Sequence, residues 1–187
     1  MGVAVQGRSE VKGSWFVTGQ RVLASRPDSV RDAVRAALPP EARGPFDEPL
    51  ASEWYPEETL QAVLSALYDV VAEGEPERFE ELMEETVEHG IHRFFSVVLK
   101  LSRPGFVLRQ IPTMWKMIRR GPGHVRVEGA PGGSHVRYAD FPFFADMHYR
   151  VLTRASIRVL LRQAGVRPAE VRVEDWGPSH LTLFARH

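Results

Sequence analysis

This sequence predicts an α+β fold: a helical N-terminal half packed on an antiparallel sheet of two hairpins that flank a C-terminal helix, in the order β-β-α-β-β. Three observations lead there. Apolar residues recur at helical spacing through most of residues 28–118. Alternation of period two begins only after Gly121-Pro122-Gly123. One further helical stretch separates the two alternating regions. Helices first and strands later is the pattern of an antiparallel sheet with helices on one side. The chain has 187 residues, enough for one domain that buries roughly 70% of the surface its unfolded form exposes, so no metal or disulfide is needed to fold it. Residues 1–10 read as a flexible arm and 11–187 as the single domain.

The elements follow in order. Val11 to Val17 is a short apolar run, expected as a strand or buried arm. Pro27 and Asp28 open a helix with Val30, Val34 and Leu38 on one face and Asp28 as its N-cap; Pro39-Pro40 ends it. Residues 41–53 are polar and proline-containing, expected as a connection. Pro56 suits the first turn of a helix carrying Leu60, Val63, Leu64, Leu67, Val70 and Val71. A helix from about Glu77 to Leu101 carries Phe79, Leu82, Met83 and Val87 inward. Its outward acids lie in the first half, where they suit the positive end of the helix dipole. Arg103-Pro104 starts another helix, and Pro112 inside it predicts a kink or break near Gln110. Strands are expected at His124–Glu128 and His135–Phe141 around a turn at Ala130–Gly133. The last helix runs from Pro142 to a cap at Gly165, and a final hairpin turns at Gly177-Pro178-Ser179.

Composition narrows the function classes. With no cysteine, disulfides, thiol catalysis, iron–sulfur clusters and cysteine-bound zinc are excluded, and a cytoplasmic setting is expected. No apolar run approaches the length of a membrane span. Net charge is zero but unevenly spread: residues 1–40 sum to +3, 41–88 to −13 and 89–187 to +10. The acidic block argues against nucleic acid. Such asymmetry suits pairing within the chain, or a contact with a second copy or another partner. Gly-x-Ser-x-Gly, Gly-x-Gly-x-x-Gly and Walker patterns are missing, and Ser179-His180 falls on opposite faces of a strand, so an enzyme is not expected.

Trp54-Tyr55-Pro56 opening a helix, Gly90 with Phe94-Phe95, Arg103-Pro104, the segment Ile111-Pro112-Thr113-Met114-Trp115 and the closing hairpin–helix–hairpin together resemble a paralogous family of myxobacterial proteins. More distantly they resemble the group of haem nitric-oxide/oxygen (H-NOX) sensors, four-vinyl-reductase-type ligand domains and TRAPP trafficking subunits. The resemblance spans roughly residues 10–186. It implies a ligand held between the helical half and the sheet. In the haem sensors an imidazole on the central helix ligates iron; Trp115 stands at that place here, and an indole N–H has no lone pair for a metal. The sensors' Tyr-x-Ser-x-Arg clamp is matched only by Tyr138-Ala139-Asp140-Phe141-Pro142, with proline where the arginine belongs. The four-vinyl-reductase zinc cysteines have no counterpart. The resemblance thus implies the fold without haem, metal or other cofactor.

Three constellations are candidates. Trp54, Tyr55, Phe94, Phe95, Met114, Trp115, Tyr138, Phe144, Met147 and His148 either form core or line a pocket for a small apolar ligand. Arg150, Arg154, Arg158 and Arg162 recur every four residues; such a stripe is a solvated face, or meets the acids Glu81, Glu84, Glu85 and Glu88 within one chain or across a homodimer, or holds a phosphate. Glu85, Glu88, His89 and His92 share a helix face at metal-compatible spacing, but two imidazoles in an acidic stripe read as a solvated surface, so no metal is expected. The functional expectation is a non-catalytic sensory or adaptor module holding a small apolar ligand, or else a protein-interaction module with a filled core.

Overall fold

A computed structural model of the chain describes residues 8–94 and 103–187, with side chains over 8–90 and 103–187. The described elements are β1 (Glu10–Lys12), α1 (Ser14–Ala24), α2 (Asp28–Ala37), α3 (Pro40–Asp47), β2 (Trp54–Pro56), α4 (Glu57–Val70) and α5 (Pro76–Phe94). After them come α6 (Pro104–Arg109), α7 (Ile111–Ile118), β3 (Arg119–Arg120), β4 (His124–Ala130), β5 (Gly133–Ala139), α8 (Met147–Gln163), β6 (Val171–Gly177) and β7 (His180–Arg186).

Two antiparallel sheets result. The larger has strand order β4-β5-β7-β6, the two expected hairpins joined through β5 and β7 with α8 between them in sequence. Its register lines up apolar cross-strand neighbours: Val125 faces Tyr138, which faces Leu181, while Val127, Val136, Leu183 and Val173 form the next row. Such pairs on one face are what hold a sheet against a helical layer. Alternate positions such as Arg126 and Arg137 are exposed. The smaller sheet, β2-β1-β3, pins the N-terminal segment between Trp54–Pro56 and Arg119–Arg120.

Several local expectations need correction. Val11–Val17 is not one strand: β1 ends at Lys12, and Ser14 starts a helix that buries Phe16, Val22 and Leu23. Gly13 makes the change of direction possible, because a Cβ there would overlap the Leu50 carbonyl oxygen. Residues 41–53 are not all connection, since α3 buries Ala42 and Phe46 four residues apart on one face despite Pro45. Asp28 is the first residue of α2 rather than its cap, and Pro27 takes the cap position. The last helix does not start at Pro142. A 3₁₀ turn over Pro142–Ala145 comes first, and the Asp146 carboxylate then caps α8 by accepting the His148 N–H at 2.8 Å. Pro112 acts as expected: α6 and α7 are separate, with Gln110 between them. The predicted extension of the long helix to Leu101 falls partly outside the described residues.

The core lies where α4, α5 and α8 meet one another and the sheet, with Phe79, Phe144, Tyr149 and Leu161 fully buried. The offset between partners shows that α5 and α8 run parallel: Glu80 meets Arg154, Glu84 meets Arg158, and Glu88 meets Arg162, each pair 74 residues apart in sequence. Four residues advance each helix by about 6 Å, so the charges make a ladder along the contact.

Candidate functional site

Where α1, α5, α7 and α8 approach Tyr138 of β5, they leave a cleft of about 200 Å³. Described wall residues include Trp15 from α1, Val87 and Gly90 from α5, Ile111, Met114, Trp115 and Ile118 from α7, and Leu152, Ile157 and Leu160 from α8. The wall also carries hydroxyls, but most are committed. Thr18, Thr86, Thr153 and Ser156 each donate to the carbonyl one turn back on their own helix, to Ser14, Leu82, Tyr149 and Leu152, at 2.7–2.9 Å. Bonded in this way, they behave as nearly apolar surface.

One charged group breaks the apolar lining. Arg119, in β3, is held by pairing of its strand with β1, and its side chain is only 8% exposed. Its Nε donates to Glu57 Oε1 at 3.2 Å. Its guanidinium stacks over the Trp115 ring at 4.5 Å and lies 5.4 Å from the Phe141 ring and 6.0 Å from the Trp15 ring. Glu57 lies behind Arg119 as the first residue of α4, with a side chain 0% exposed. Burial pushes its carboxyl above the usual range, and the Arg119 charge opposes that rise. Glu57 Oε2 has no hydrogen-bond partner among the described residues. Glu57 is tied down through its backbone: its N–H donates to the Ser9 carbonyl at 3.0 Å, and its own carbonyl accepts the Tyr149 hydroxyl at 2.9 Å. Tyr138 packs its ring 5.3 Å from Trp115, and burial pushes its phenol far up, with Arg119 pulling the other way.

The aromatic set named from sequence therefore divides. Met114, Trp115 and Tyr138 line the cleft. Phe144 is fully buried in the core against Tyr138 and Phe141. Tyr55 packs edge-on to Phe16, and Trp54 lies on β2 between Lys12 and Arg120, whose charges stand 4.5 and 4.0 Å from its ring. Met147 begins α8. His148 sits between Tyr68 and Phe79, ring centroids 4.9 and 5.2 Å away. Its Nδ1 comes within 2.8 Å of Asp146 Oδ1 but out of line for a good hydrogen bond. Burial would raise the Asp146 carboxyl, but its contacts with His148 and Gln61 outweigh that and hold it at about 2. The Phe94 side chain and Phe95 lie outside the described residues, as does the His92 side chain.

The charges offered to a partner are largely used inside the chain. Arg154 forks onto Glu80 at 2.8 and 2.7 Å, and Arg158 bridges Glu80 and Glu84 at 2.9 and 2.6 Å. Arg162 pairs with Glu84, and with Glu88 at 2.6 Å. Glu85 binds Arg26 at 2.8 Å. Arg150 leaves the stripe, stacks on Trp176 at 3.8 Å and donates to the Phe144 and Ala145 carbonyls. Glu81 alone of the named acids stays exposed with no ion pair among the described residues. Packing of α5 on α8 pairs Glu84 and Glu88 with arginines of α8, and Arg26 pairs with Glu85. No group of three His, Asp or Glu among the described residues is placed to hold a metal, and exposed His89 lies 2.9 Å from the Glu85 carbonyl. No described helix is long and apolar enough to cross a membrane.

Sequence reasoning missed Arg119, Glu57 and Trp15. Arg119 reads as part of an Arg-Arg-Gly-Pro-Gly turn, Glu57 as an ordinary first-turn acid, and Trp15 as part of a strand. Arg119 and Glu57 are brought together only by a contact across 62 residues of sequence.

Neither a family model nor a curated protein matches the chain. Solved structures do. The Fe(II) unliganded H-NOX protein from K. algicida shares 12% identity at a TM-score of 0.69, over 94% of this chain and 95% of that one. An H-NOX protein from S. oneidensis in the Fe(II)NO ligation state shares 14% at 0.66, over 94% and 98%. An oxygen-binding H-NOX domain related to soluble guanylate cyclases, in its oxygen complex, shares 15% at 0.62, over 93% and 91%. At such identities the likeness concerns the fold: the chain has an H-NOX-like fold along nearly its whole length.

Proposed function

We propose that this chain is a non-catalytic sensory module that binds a small, mostly apolar ligand in the cleft beside Trp115, without haem. The observation that carries the reading is the cleft itself: about 200 Å³ of space between helices and sheet, walled by apolar side chains and back-bonded hydroxyls, in a fold that in its structural neighbours houses a ligand. A closed apolar cavity of about 150 Å³ holds a benzene molecule, so this one suits a single ring or a short branched chain.

The residues present do not fit haem. A macrocycle of four pyrroles far exceeds a one-ring space. No imidazole lines the cleft among the described residues, and Trp115 has no lone pair to give iron. Tyr138 is held as the neutral phenol by burial. Membership of the myxobacterial family belongs to this proposal and rests on the sequence segments alone. The non-catalytic part rests on the wall chemistry, which among the described residues brings together no nucleophile, base and oxyanion donors. The interaction-module alternative has weaker support: among the described residues the exposed large apolar side chains are Leu50 between α3 and β2, Phe106 in α6, Met117 in α7 and Trp176 in β6, and Trp176 is already covered by Arg150.

Native mass spectrometry of the purified chain tests the proposal. The expected spectrum shows a small mass excess over 21.1 kDa per chain that is lost on denaturation. A haem adduct, or a bare chain that stays bare when toluene is supplied, would overturn it.

A further inference from the structure

The cleft is largely apolar, and its charged and phenolic groups come from the strands rather than the helices. Two strong donors are uncommitted to any described residue: the terminal nitrogens of Arg119, whose Nε edge alone is taken by Glu57, and the hydroxyl of Tyr138. Both line the cleft and pack on Trp115, with the guanidinium 4.5 Å and the tyrosine ring 5.3 Å from the indole, and the Arg119 charge is near enough to act on the Tyr138 phenol. A guanidinium presents its terminal nitrogens as a flat fork that matches the two oxygens of a carboxylate, and the phenol adds a third donor. No carboxylate or imidazole lines the cleft among the described residues to compete for those donors. Glu57 holds the guanidinium from behind and fixes its orientation, as its own backbone is fixed by Ser9 and Tyr149. Keeping a nearly buried arginine on the wall of an apolar cleft is costly unless something there uses it, because each unmade hydrogen bond in such surroundings leaves the group under-solvated.

We infer that the cleft selects a small carboxylic acid with an apolar body about the size of one ring, its carboxylate held by Arg119 and Tyr138 and its body lying along Trp115, Ile157 and Leu160. This rests on the proposed function and deepens it by naming the ligand class. Arg119 and Tyr138 are binding residues, and Glu57 is a positioning residue acting through Arg119. Haem propionates are not the acid in question, since the space takes a single ring.

Calorimetric titration of the full chain with benzoate and with toluene separates the claims. Both probes fill a one-ring cavity, and only benzoate carries the acceptor. The expected result is benzoate binding at least about ten-fold more tightly than toluene, as charge-assisted bonds to a fork require. The paired substitution Glu57→Gln with Arg119→Met removes both buried charges together and is expected to keep the fold. It should bring the ratio of benzoate to toluene affinity down to about one. Tyr138→Phe, which removes one donor and no charge, should lower the ratio of benzoate to toluene affinity by about three- to ten-fold. Toluene binding as tightly as benzoate to the unmodified chain would overturn the acid inference and leave the apolar cleft standing. Benzoate preference that survives both sets of substitutions would overturn the role of Arg119 and Tyr138. Failure of both probes to bind would overturn the proposed function and this inference with it.

Discussion

Replacing Arg119 by methionine should be among the most damaging single changes in this protein, and the damage should depend on pH. The side chains of Arg119 and Glu57 are 8% and 0% exposed, and they meet at 3.2 Å. Removing the guanidinium strands a carboxylate whose second oxygen already has no described partner. Breaking a buried pair from one side costs about 3–5 kcal/mol. For a chain of this length each kcal/mol moves the melting temperature by roughly 2–4 °C, so a fall of about 6–20 °C is expected near neutral pH. The sign of the pH effect follows from Glu57. Its folded pKa lies above the unfolded value because burial outweighs Arg119. A carboxyl raised in this way stabilises the fold below its unfolded pKa, and that contribution is lost as pH rises through the folded pKa. Without Arg119 the folded pKa rises further, so the variant should be most destabilised at about pH 8 and should recover part of the loss at about pH 5. The paired change Glu57→Gln with Arg119→Met should be much milder than either single change, because neither charge is then left unpaired. Urea unfolding of the four proteins at the two pH values measures all of this as a double-mutant cycle. A single-variant cost under about 1 kcal/mol that is equal at both pH values would refute the buried-pair account, since that is the size of an exposed pair.

Other consequences follow from the same structure. Trp115→Ala should cost about 3 kcal/mol, near the low end for a large buried aromatic, because one face of the indole already borders the cleft; urea unfolding gives the value. Glu84→Gln removes the shared partner of Arg158 and Arg162, and should cost about 1–3 kcal/mol at neutral pH in thermal unfolding. Burial would raise the Glu84 carboxyl, but hydrogen bonds from Arg162 and Arg158 lower it overall. Its contribution is therefore complete above the unfolded pKa and is lost as pH falls through the folded one, so variant and parent should converge in acid. Asp146→Ala should cost about 1–2 kcal/mol through loss of the α8 cap. Because the Asp146 carboxyl is held at about 2, that difference should disappear only as pH falls from about 4 to about 2.

Much of the architecture was legible because it is locally encoded. The period-3.6 pattern gives α2, α4, α5 and α8, the alternation on either side of Gly132-Gly133 gives β4 and β5, and Pro112 marks the break between α6 and α7. Two helices were hidden by their own residues. Ser14–Ala24 opens with Trp15, Phe16 and Val17, residues that favour strands, and only Val22 and Leu23 a further turn and a half away complete its buried face. Pro40–Asp47 contains Gly44 and Pro45, both turn-formers, and is helical because Ala42 and Phe46 reach the core.

The site was less legible than the fold, because its decisive contacts are long-range. Nothing near Arg119 indicates that a carboxylate 62 residues earlier will fold behind it. Phe144 and His148, named with the pocket set, are ring residues like those of the cleft wall, and only long-range packing places Phe144 against Tyr138 and Phe141 and His148 against Tyr68 and Phe79. The four-residue spacing of Arg154, Arg158 and Arg162 and of Glu80, Glu84 and Glu88 does signal complementarity. The parallel packing of α5 on α8 then joins the two stripes within one chain.

The cleft as ligand site is most directly tested by the indole N–H resonances of the four tryptophans during a titration with toluene. Trp15 and Trp115 are on the wall, while Trp54 packs between Lys12 and Arg120 and Trp176 lies under Arg150. Saturable shifts confined to the Trp15 and Trp115 signals are expected. Shifts at Trp54 or Trp176 with the wall pair unmoved, or no shift at any of the four, would contradict the assignment of the cleft as the binding site.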